Sequence, residues 1–241
     1  MLRRLPHPGR GFTQGLIIEG GTVWESTGQY GESALRRYPL GAAGTEASAA
    51  LPPELFGEGI CRAGAHPGAH LWQLTWRERV ALRWDPGTLE LLGTVPYHRD
   101  GWGICLAGAE VLTSDGSSEL VRRHPADLRP LPGEVIRVRC QGQRVPGLND
   151  LEWSAGRVWA NLLGRPYLAG IDPDTGEVTD VADIRPVAER HWGDPEAVRN
   201  GIASLPAAGE FLLTGKRWRH LYHVRLEPAQ APADPAGLLT G

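Results

Sequence analysis

The segment Phe12-Thr13-Gln14-Gly15-Leu16 is the first of five related segments that recur along the chain, each followed by a second short apolar run. The other four are Phe56-Gly57-Glu58-Gly59-Ile60, Gly101-Trp102-Gly103-Ile104, Leu148-Asn149-Asp150-Leu151 and Arg199-Asn200-Gly201-Ile202. Aligning Gly15, Gly59, Gly103, Asp150 and Gly201 gives spacings of 44, 44, 47 and 51 residues. A unit that recurs at this length indicates a repeat architecture.

Within each unit, short runs of β-branched and aromatic residues alternate with turn sequences such as Asp85-Pro86-Gly87-Thr88 and Asp172-Pro173-Asp174-Thr175-Gly176. Three to four strands in about 45 residues is typical of one blade of a β-propeller. The sequence therefore predicts an all-β, five-bladed β-propeller. A large β-sandwich or barrel is the alternative, and it fits less well because those folds do not repeat at a fixed blade length.

The fifth unit ends after His220–Leu226 and has no segment that resembles an outer strand. We expect Leu2–Leu5 to supply that strand from the N-terminus, because this closes the ring and leaves no open sheet edge. The predicted domain organisation is a single propeller over 1–227 and an Ala/Pro-rich tail over 228–241, lying on the surface.

The composition narrows the functional class. The chain has 241 residues, 32 Gly, 20 Pro and a formal net charge of -3, with 24 of its 25 basic residues Arg. This balance gives no reason to expect nucleic acid as a partner, and no apolar run is long enough to predict a membrane span.

Three cysteines argue against a complete disulfide framework and predict free thiols. No secretory signal is visible, which fits a cytoplasmic protein or one exported and then trimmed. By analogy with other propellers we expect a monomer.

The innermost strand of each propeller blade lines the central channel. The residues just before the aligned positions are equivalent across the blades, and they are Gln14, Glu58, Trp102, Asn149 and Asn200. A carboxylate, three amides and an indole on one channel face predict a binding or catalytic site. The alternative is that these polar groups satisfy strand ends or hold channel water.

Alignment of the second strands places another set of residues at one level: Gly28, Trp76, Gly116, Leu163 and Lys216. Lys216 is the only lysine, and with Trp76 it is expected to meet the first set over one channel mouth. Apolar walls with a few convergent polar groups are typical of ligand sites. Indoles around a lone carboxylate would desolvate Glu58 and raise its pKa, so that it could both accept and donate a proton. Glu25 fits either a turn-capping role or a place in this site.

Several motifs in this order resemble the plant and bacterial glutaminyl cyclases over about residues 6–226. They are Phe12–Leu16, Glu25–Gly28, Phe56–Ile60, Leu74–Trp76, Leu148–Trp153, Trp159–Asn161, Asn200–Ala203 and Thr214–Trp218. The resemblance implies a five-bladed propeller that cyclises an N-terminal glutamine to pyroglutamate and releases ammonia. The substrate is then glutamine, either at the N-terminus of a peptide or free. No cofactor or metal is implied.

The same resemblance assigns roles to the matching positions. Glu58 is implied as the catalytic acid/base, with Lys216 and Asn149 assisting at the reacting amide. Gln14 and Trp102 are implied to contact the substrate, with Phe12 and Trp76 in the wall. Glu25, in one of the matching motifs, is predicted to bind substrate with them. Two positions depart from the family pattern, because Asp150 stands where Glu is common and Leu163 stands where a second Trp is common. At Leu163 an aliphatic side chain therefore replaces one aromatic wall of the family's pocket.

Two other functions remain open from the residues. Lactonase-like propeller hydrolases gather Glu, Asn and Asp around a divalent ion, and Glu58, Asn149, Asn200 and Asp115 could imitate that set. A non-catalytic propeller that binds peptides at its channel mouth is the second alternative. Sensitivity of activity to a chelator would indicate the first, and peptide binding without ammonia release the second.

Overall fold

The computed structural model describes residues 1–64, 68–187 and 195–228. Within these ranges the strands form five four-stranded antiparallel sheets and one two-stranded ribbon. The sheets are the blades of a five-bladed β-propeller, which confirms the predicted fold. No described helix has the length and apolar character needed to cross a bilayer. Of the predicted 228–241 tail, only Pro228 lies within the described residues.

The first four blades each use four consecutive strands, innermost first. Blade 1 comprises β2 (Thr13–Glu19), β3 (Thr22–Thr27), β4 (Ala34–Pro39) and β5 (Ala47–Ala50). Blade 2 comprises β6 (Gly57–Arg62), β7 (Leu71–Thr75), β8 (Val80–Trp84) and β9 (Leu91–Pro96). Blade 3 comprises β10 (Ile104–Ala107), β11 (Glu110–Ser114), β12 (Glu119–Arg123) and β13 (Pro130–Arg137). Blade 4 comprises β16 (Leu148–Ser154), β17 (Arg157–Leu162), β18 (Tyr167–Ile171) and β19 (Val178–Asp183). The ribbon of β14 (Arg139–Cys140) and β15 (Gln143–Arg144) precedes blade 4.

Blade 5 joins the two ends of the propeller. Its strands are β20 (Arg199–Ser204), β21 (Glu210–Gly215), β22 (His220–Arg225) and, outermost, β1 (Arg3–Pro6). β1 pairs antiparallel with β22. The expected closure by the N-terminus is therefore confirmed, one residue further along than predicted. A 3-10 turn, Pro8–Arg10, then carries the chain to β2.

The five inner strands contact one another in a closed ring, in the order β2, β6, β10, β16, β20. Glycine at the aligned positions permits this approach. A Cβ on Gly59 would lie 2.5 Å from the Trp102 carbonyl oxygen, and one on Gly103 would overlap the Asn149 carbonyl. Asp150 is the exception, and its carboxylate accepts the backbone N–H groups of Leu151 (3.1 Å) and Ile202 (2.9 Å). Asp150 therefore ties blade 4 to blade 5 inside the channel.

Apolar side chains fill the spaces between adjacent sheets. Trp72 is fully buried and its indole N–H donates to the Pro125 carbonyl at 2.8 Å, so this tryptophan joins blade 2 to a turn of blade 3. Trp24 does the same between blades 1 and 2 through the Pro86 carbonyl at 3.0 Å. All three cysteines are free and buried. Neighbouring blades are thus held together by apolar packing and by these two indole hydrogen bonds.

Candidate active site

A cavity of about 320 Å³ lies at the channel mouth where the inner strands begin. Seven of the eight residues predicted for the site line it: Phe12, Gln14, Glu58, Trp76, Trp102, Asn149 and Lys216. In blades 1, 2, 4 and 5 the inner strand has a register shift at the position of its polar side chain. Bulges of this kind turn a side chain away from the regular pleat, which explains how the polar groups reach one place.

Glu58 is the buried carboxyl of the cavity, with 5% of its surface exposed. Gln14 donates from Nε2 to Glu58 Oε1 at 2.9 Å. Burial raises the pKa of Glu58 well above its usual value, the Lys216 ammonium opposes the shift, and Asp150 adds to it. A carboxyl with a raised pKa can act as an acid or a base at near-neutral pH.

A chain of amides fixes the position of this carboxyl. Asn200 donates from Nδ2 to Gln14 Oε1 at 3.0 Å and to the Thr13 carbonyl at 3.1 Å. Gln14 is thereby oriented with its Nε2 towards Glu58. Asn200 is fully buried and lies behind Gln14, outside the cavity lining. It therefore positions a cavity residue without facing a ligand itself.

Asn149 and Lys216 provide the other polar groups. Asn149 is 3% exposed, and its Oδ1 is buried with no hydrogen-bond partner among the described residues. Lys216 is 9% exposed, and its Nζ lies 4.6 Å from the centre of the Phe12 ring. Burial lowers the pKa of Lys216, while Glu58 and Glu196 oppose that shift. These groups can serve a ligand that carries both a donor and an acceptor.

Aromatic rings form the walls, and the aligned motifs identified only part of them. Phe56 packs against Trp76 with ring centres 5.4 Å apart and against Phe12 at 6.1 Å. Tyr30 also packs against Phe56, with ring centres 5.4 Å apart, and its hydroxyl donates to Glu78 at 2.7 Å. Phe56 occupies the same place in its repeat as Phe12, so the alignment could have found it.

Three further lining residues come from irregular segments: Gln29, Tyr30 and Glu196. No repeat pattern marks them, and sequence analysis missed them. Leu163, flagged as a departure from the family pattern, does line the cavity and is 39% exposed. An aliphatic side chain thus stands at this edge.

Glu25 is the predicted site residue that the structure places elsewhere. It is fully buried, and its Oε1 contacts His7 Nε2 at 2.9 Å and accepts from Thr13 Oγ1 at 2.7 Å. Tyr38 donates to Oε2 at 3.2 Å. Burial disfavours both charges, but the pairing lowers the pKa of Glu25 and raises that of His7. Glu25 is thus an internal ion-pair partner next to the site, and this geometry gives no support to its predicted contact with substrate.

Only part of the set suggested for a metal centre comes together, because Glu58 and Asn149 line the cavity and Asp115 stands apart. Asp115 pairs with Arg99 at 3.1 Å and accepts from Ser117 Oγ at 2.6 Å, and it does not line the cavity. Among the described residues there is no group of three or more His, Cys, Asp or Glu side chains arranged to hold a metal ion. Of the set suggested for the lactonase-like alternative, the cavity lining therefore contains Glu58 and Asn149 and lacks Asn200 and Asp115.

The fold and the cavity together define a class: a closed propeller with a buried carboxyl of raised pKa and a lysine at an aromatic channel mouth. Residues 1–226 match the family described as glutamine cyclotransferase. The chain belongs to this family.

Two relatives agree with this assignment. The chain is 31% identical over 238 residues to a glutaminyl-peptide cyclotransferase of Arabidopsis thaliana, covering 96% of this chain and 72% of the relative. The crystal structure of Myxococcus xanthus glutaminyl cyclase superposes with a TM-score of 0.84 at 34% identity, covering 94% of this chain and 95% of the other. Kuenenia stuttgartiensis hydrazine synthase, at 12% identity and a TM-score of 0.51 over 85% of this chain and 55% of the other, shares only the fold.

Proposed function

We propose that this protein converts the N-terminal glutamine of peptides to pyroglutamate and releases ammonia, with Glu58 as the acid/base. The observation that carries the proposal is the buried Glu58 carboxyl, oriented by Gln14 and placed near Lys216 within a cavity of aromatic walls. The cavity volume of about 320 Å³ falls at the small end of ligand sites and suits one side chain with its backbone amine.

The reaction needs a proton to move from one nitrogen to another. The substrate α-amine has an ordinary pKa near 7.7–8.0, so it enters mainly as an ammonium ion. In the carboxylate form Glu58 accepts a proton from it. The free amine then attacks the side-chain amide carbon, which closes the five-membered ring and gives a tetrahedral intermediate with a negative oxygen.

Collapse of the intermediate needs a good leaving group. Protonated Glu58 donates to the amide nitrogen and then takes a proton from the ring nitrogen, so ammonia leaves and the lactam forms. Ammonia carries away the remaining proton as ammonium. One carboxyl that can be both acid and base is enough for these transfers, and the raised pKa of Glu58 suits both directions.

The neighbouring groups supply electrostatics and orientation. Lys216 Nζ and the Asn149 side-chain amide are the cavity donors for the developing oxyanion, where one donor is worth about 3 kcal/mol. The Asn149 oxygen without a described partner suits an N–H of the substrate. Trp76, Trp102 and Phe56 enclose the aliphatic part of the glutamine side chain, which keeps the chain bent for ring closure.

The test is ammonia release from a short peptide that begins with glutamine, measured with and without a chelator. Glu58→Gln should keep the fold and lose at least about 100-fold in kcat, the scale of general acid–base catalysis. Glu90→Gln, the same change at an exposed position, is the matched control. Wild-type turnover in Glu58→Gln would remove Glu58 from the chemistry. Activity abolished by the chelator would favour a metal-dependent hydrolase, and peptide binding without ammonia would favour a binding propeller.

A further inference from the structure

Two further pockets are linked to the active-site cavity through shared lining residues. The first, of about 380 Å³, shares Phe12 with the cavity. The second, of about 730 Å³, shares Gly9 and Arg10 with the first. The chain between β1 and β2 contributes to the walls of both pockets, so the cavity and the two pockets adjoin in series and form a path of neighbouring pockets.

This path is strongly basic in a chain whose net charge is -3. We call it the arginine groove, and its arginines are Arg4, Arg10, Arg36, Arg217 and Arg219. Within the part of the chain that the structure describes, no acidic residue lines the outer pocket, and Glu32 is the one carboxylate that lines the inner pocket. Among the described residues, Arg36 Nη1 is buried and has no hydrogen-bond partner.

The wall of the groove is held firmly in place. The His7 N–H donates to the Arg219 carbonyl at 2.9 Å, and the Arg217 N–H donates to the Gly11 carbonyl at 2.7 Å. The His7 ring adds a hydrogen bond from Nδ1 to the Trp218 carbonyl at 2.8 Å. The Arg217 guanidinium lies 5.4 Å from the centre of the Phe12 ring, beside the active-site wall. The basic groups are therefore carried on an ordered backbone that begins at the cavity.

We propose that the arginine groove binds the peptide residues that follow the N-terminal glutamine and selects substrates with carboxylates there. This inference rests on the proposed function, since it takes the glutamine to occupy the cavity. An extended chain advances about 3.3 Å per residue, so the residues after the glutamine are the ones that reach the groove beyond Phe12. A guanidinium group can bind a carboxylate through two parallel hydrogen bonds, so it favours a carboxylate by its geometry as well as by its charge.

The carboxylate could come from an acidic side chain or from the C-terminus of a short peptide. Four peptides separate these sources, each with glutamine first and three further residues: all glutamate as the amide, all alanine as the amide, all alanine as the free acid, and all lysine as the amide. We expect kcat/KM for the glutamate peptide to exceed that for the alanine amide by about tenfold at low salt, mainly through KM. The preference should shrink as salt is added, because Arg4, Arg10, Arg217 and Arg219 are exposed.

The variant that tests the groove is Arg4→Gln with Arg10→Gln, both at exposed positions in its wall. It should reduce the ratio of kcat/KM between the glutamate and alanine amides to near one. Arg144→Gln, at an exposed position on the β14–β15 ribbon, is the matched control and should keep the wild-type ratio. A preference for the alanine free acid over its amide would assign the groove to C-terminal carboxylates, and a preference for the glutamate amide would assign it to side chains.

Equal kcat/KM for all four peptides would overturn the groove proposal while leaving the cyclase function intact. The same would follow if the double variant kept the wild-type ratio. Absence of ammonia from every peptide would instead overturn the proposed function. In that case calorimetric binding of the same four peptides still tests the groove, and equal affinities would reject it.

Discussion

Gly116 determines where the Trp102 wall of the cavity stands. A Cβ at Gly116 would lie 2.6 Å from Trp102 Cζ2 and 2.7 Å from Cη2, closer than carbon atoms approach without displacement. Gly116 also has a φ of +81°, a conformation that costs an alanine about 1 kcal/mol. Gly116→Ala therefore combines a clash with the active-site wall and a backbone strain.

The two effects have different magnitudes. To restore a separation near 3.5 Å, the indole must move by on the order of 1 Å, and a misplacement of that size can cost about 100-fold in rate. The strain alone lowers stability by about 1 kcal/mol, or about 2–4 °C in Tm for a chain of this length. Because Trp102 lies in the lining and Gly116 does not, the rate effect must act through the ring.

Gly21→Ala is the matched control. Gly21 has a φ of +80° in the turn between β2 and β3, and nothing lies within 4 Å of a Cβ placed there. Ammonia release and thermal melting should be measured for both variants. We expect Tm to fall in both variants, further in Gly116→Ala because the clash adds to the strain, with about a 100-fold loss of kcat/KM only in Gly116→Ala. The reasoning is refuted if Gly116→Ala keeps kcat/KM within about threefold of wild type, or if Gly21→Ala loses as much.

Three further variants separate catalytic from structural roles. Lys216→Ala should lower kcat about 100-fold, the worth of one oxyanion donor, with little change in Tm; a large loss of stability with normal kcat would assign Lys216 to the scaffold. Glu25→Gln should lower the free energy of unfolding by about 3 kcal/mol, because it breaks the buried pair with His7, and leave KM unchanged; a raised KM with normal stability would restore its predicted contact with substrate. Burial raises the pKa of Glu152 to about 7, above the value of this group in the unfolded chain. The protein is therefore most stable at acid pH, where Glu152 is protonated, and its free energy of unfolding falls as the pH rises from about 4.5 to 7. Glu152→Gln keeps an acceptor for the Ser204 hydroxyl and cannot ionise. In urea unfolding, the free energy of unfolding of the variant should therefore rise relative to wild type by up to about 3 kcal/mol between pH 4 and 8. A difference that does not change with pH would contradict the raised pKa of Glu152.

The five-fold repeat in the sequence is sufficient to predict the propeller fold. Five units with glycine or aspartate at one aligned position, separated by turn sequences, are compatible with a ring of blades because each unit buries its faces only against the next. The same alignment placed Gln14, Glu58, Trp102 and Asn149 at one channel mouth, since equivalent positions of equivalent blades face the same axis. The missing outer strand of the last unit indicated closure by the N-terminus for a similar reason, because an unpaired edge is unfavourable.

The tertiary structure decided what the repeat does not encode. Glu25 lies in a motif that accompanies the active-site residues, and only its contacts with His7 and Tyr38 show that it is occupied internally. Tyr30 and Glu196 reach the cavity from irregular segments whose direction depends on packing. The arginine groove combines residues from the two ends of the described chain, and it forms because β1 joins β22 in one blade. Local sequence patterns fix which way a strand faces, whereas contacts between distant segments depend on how the ring closes.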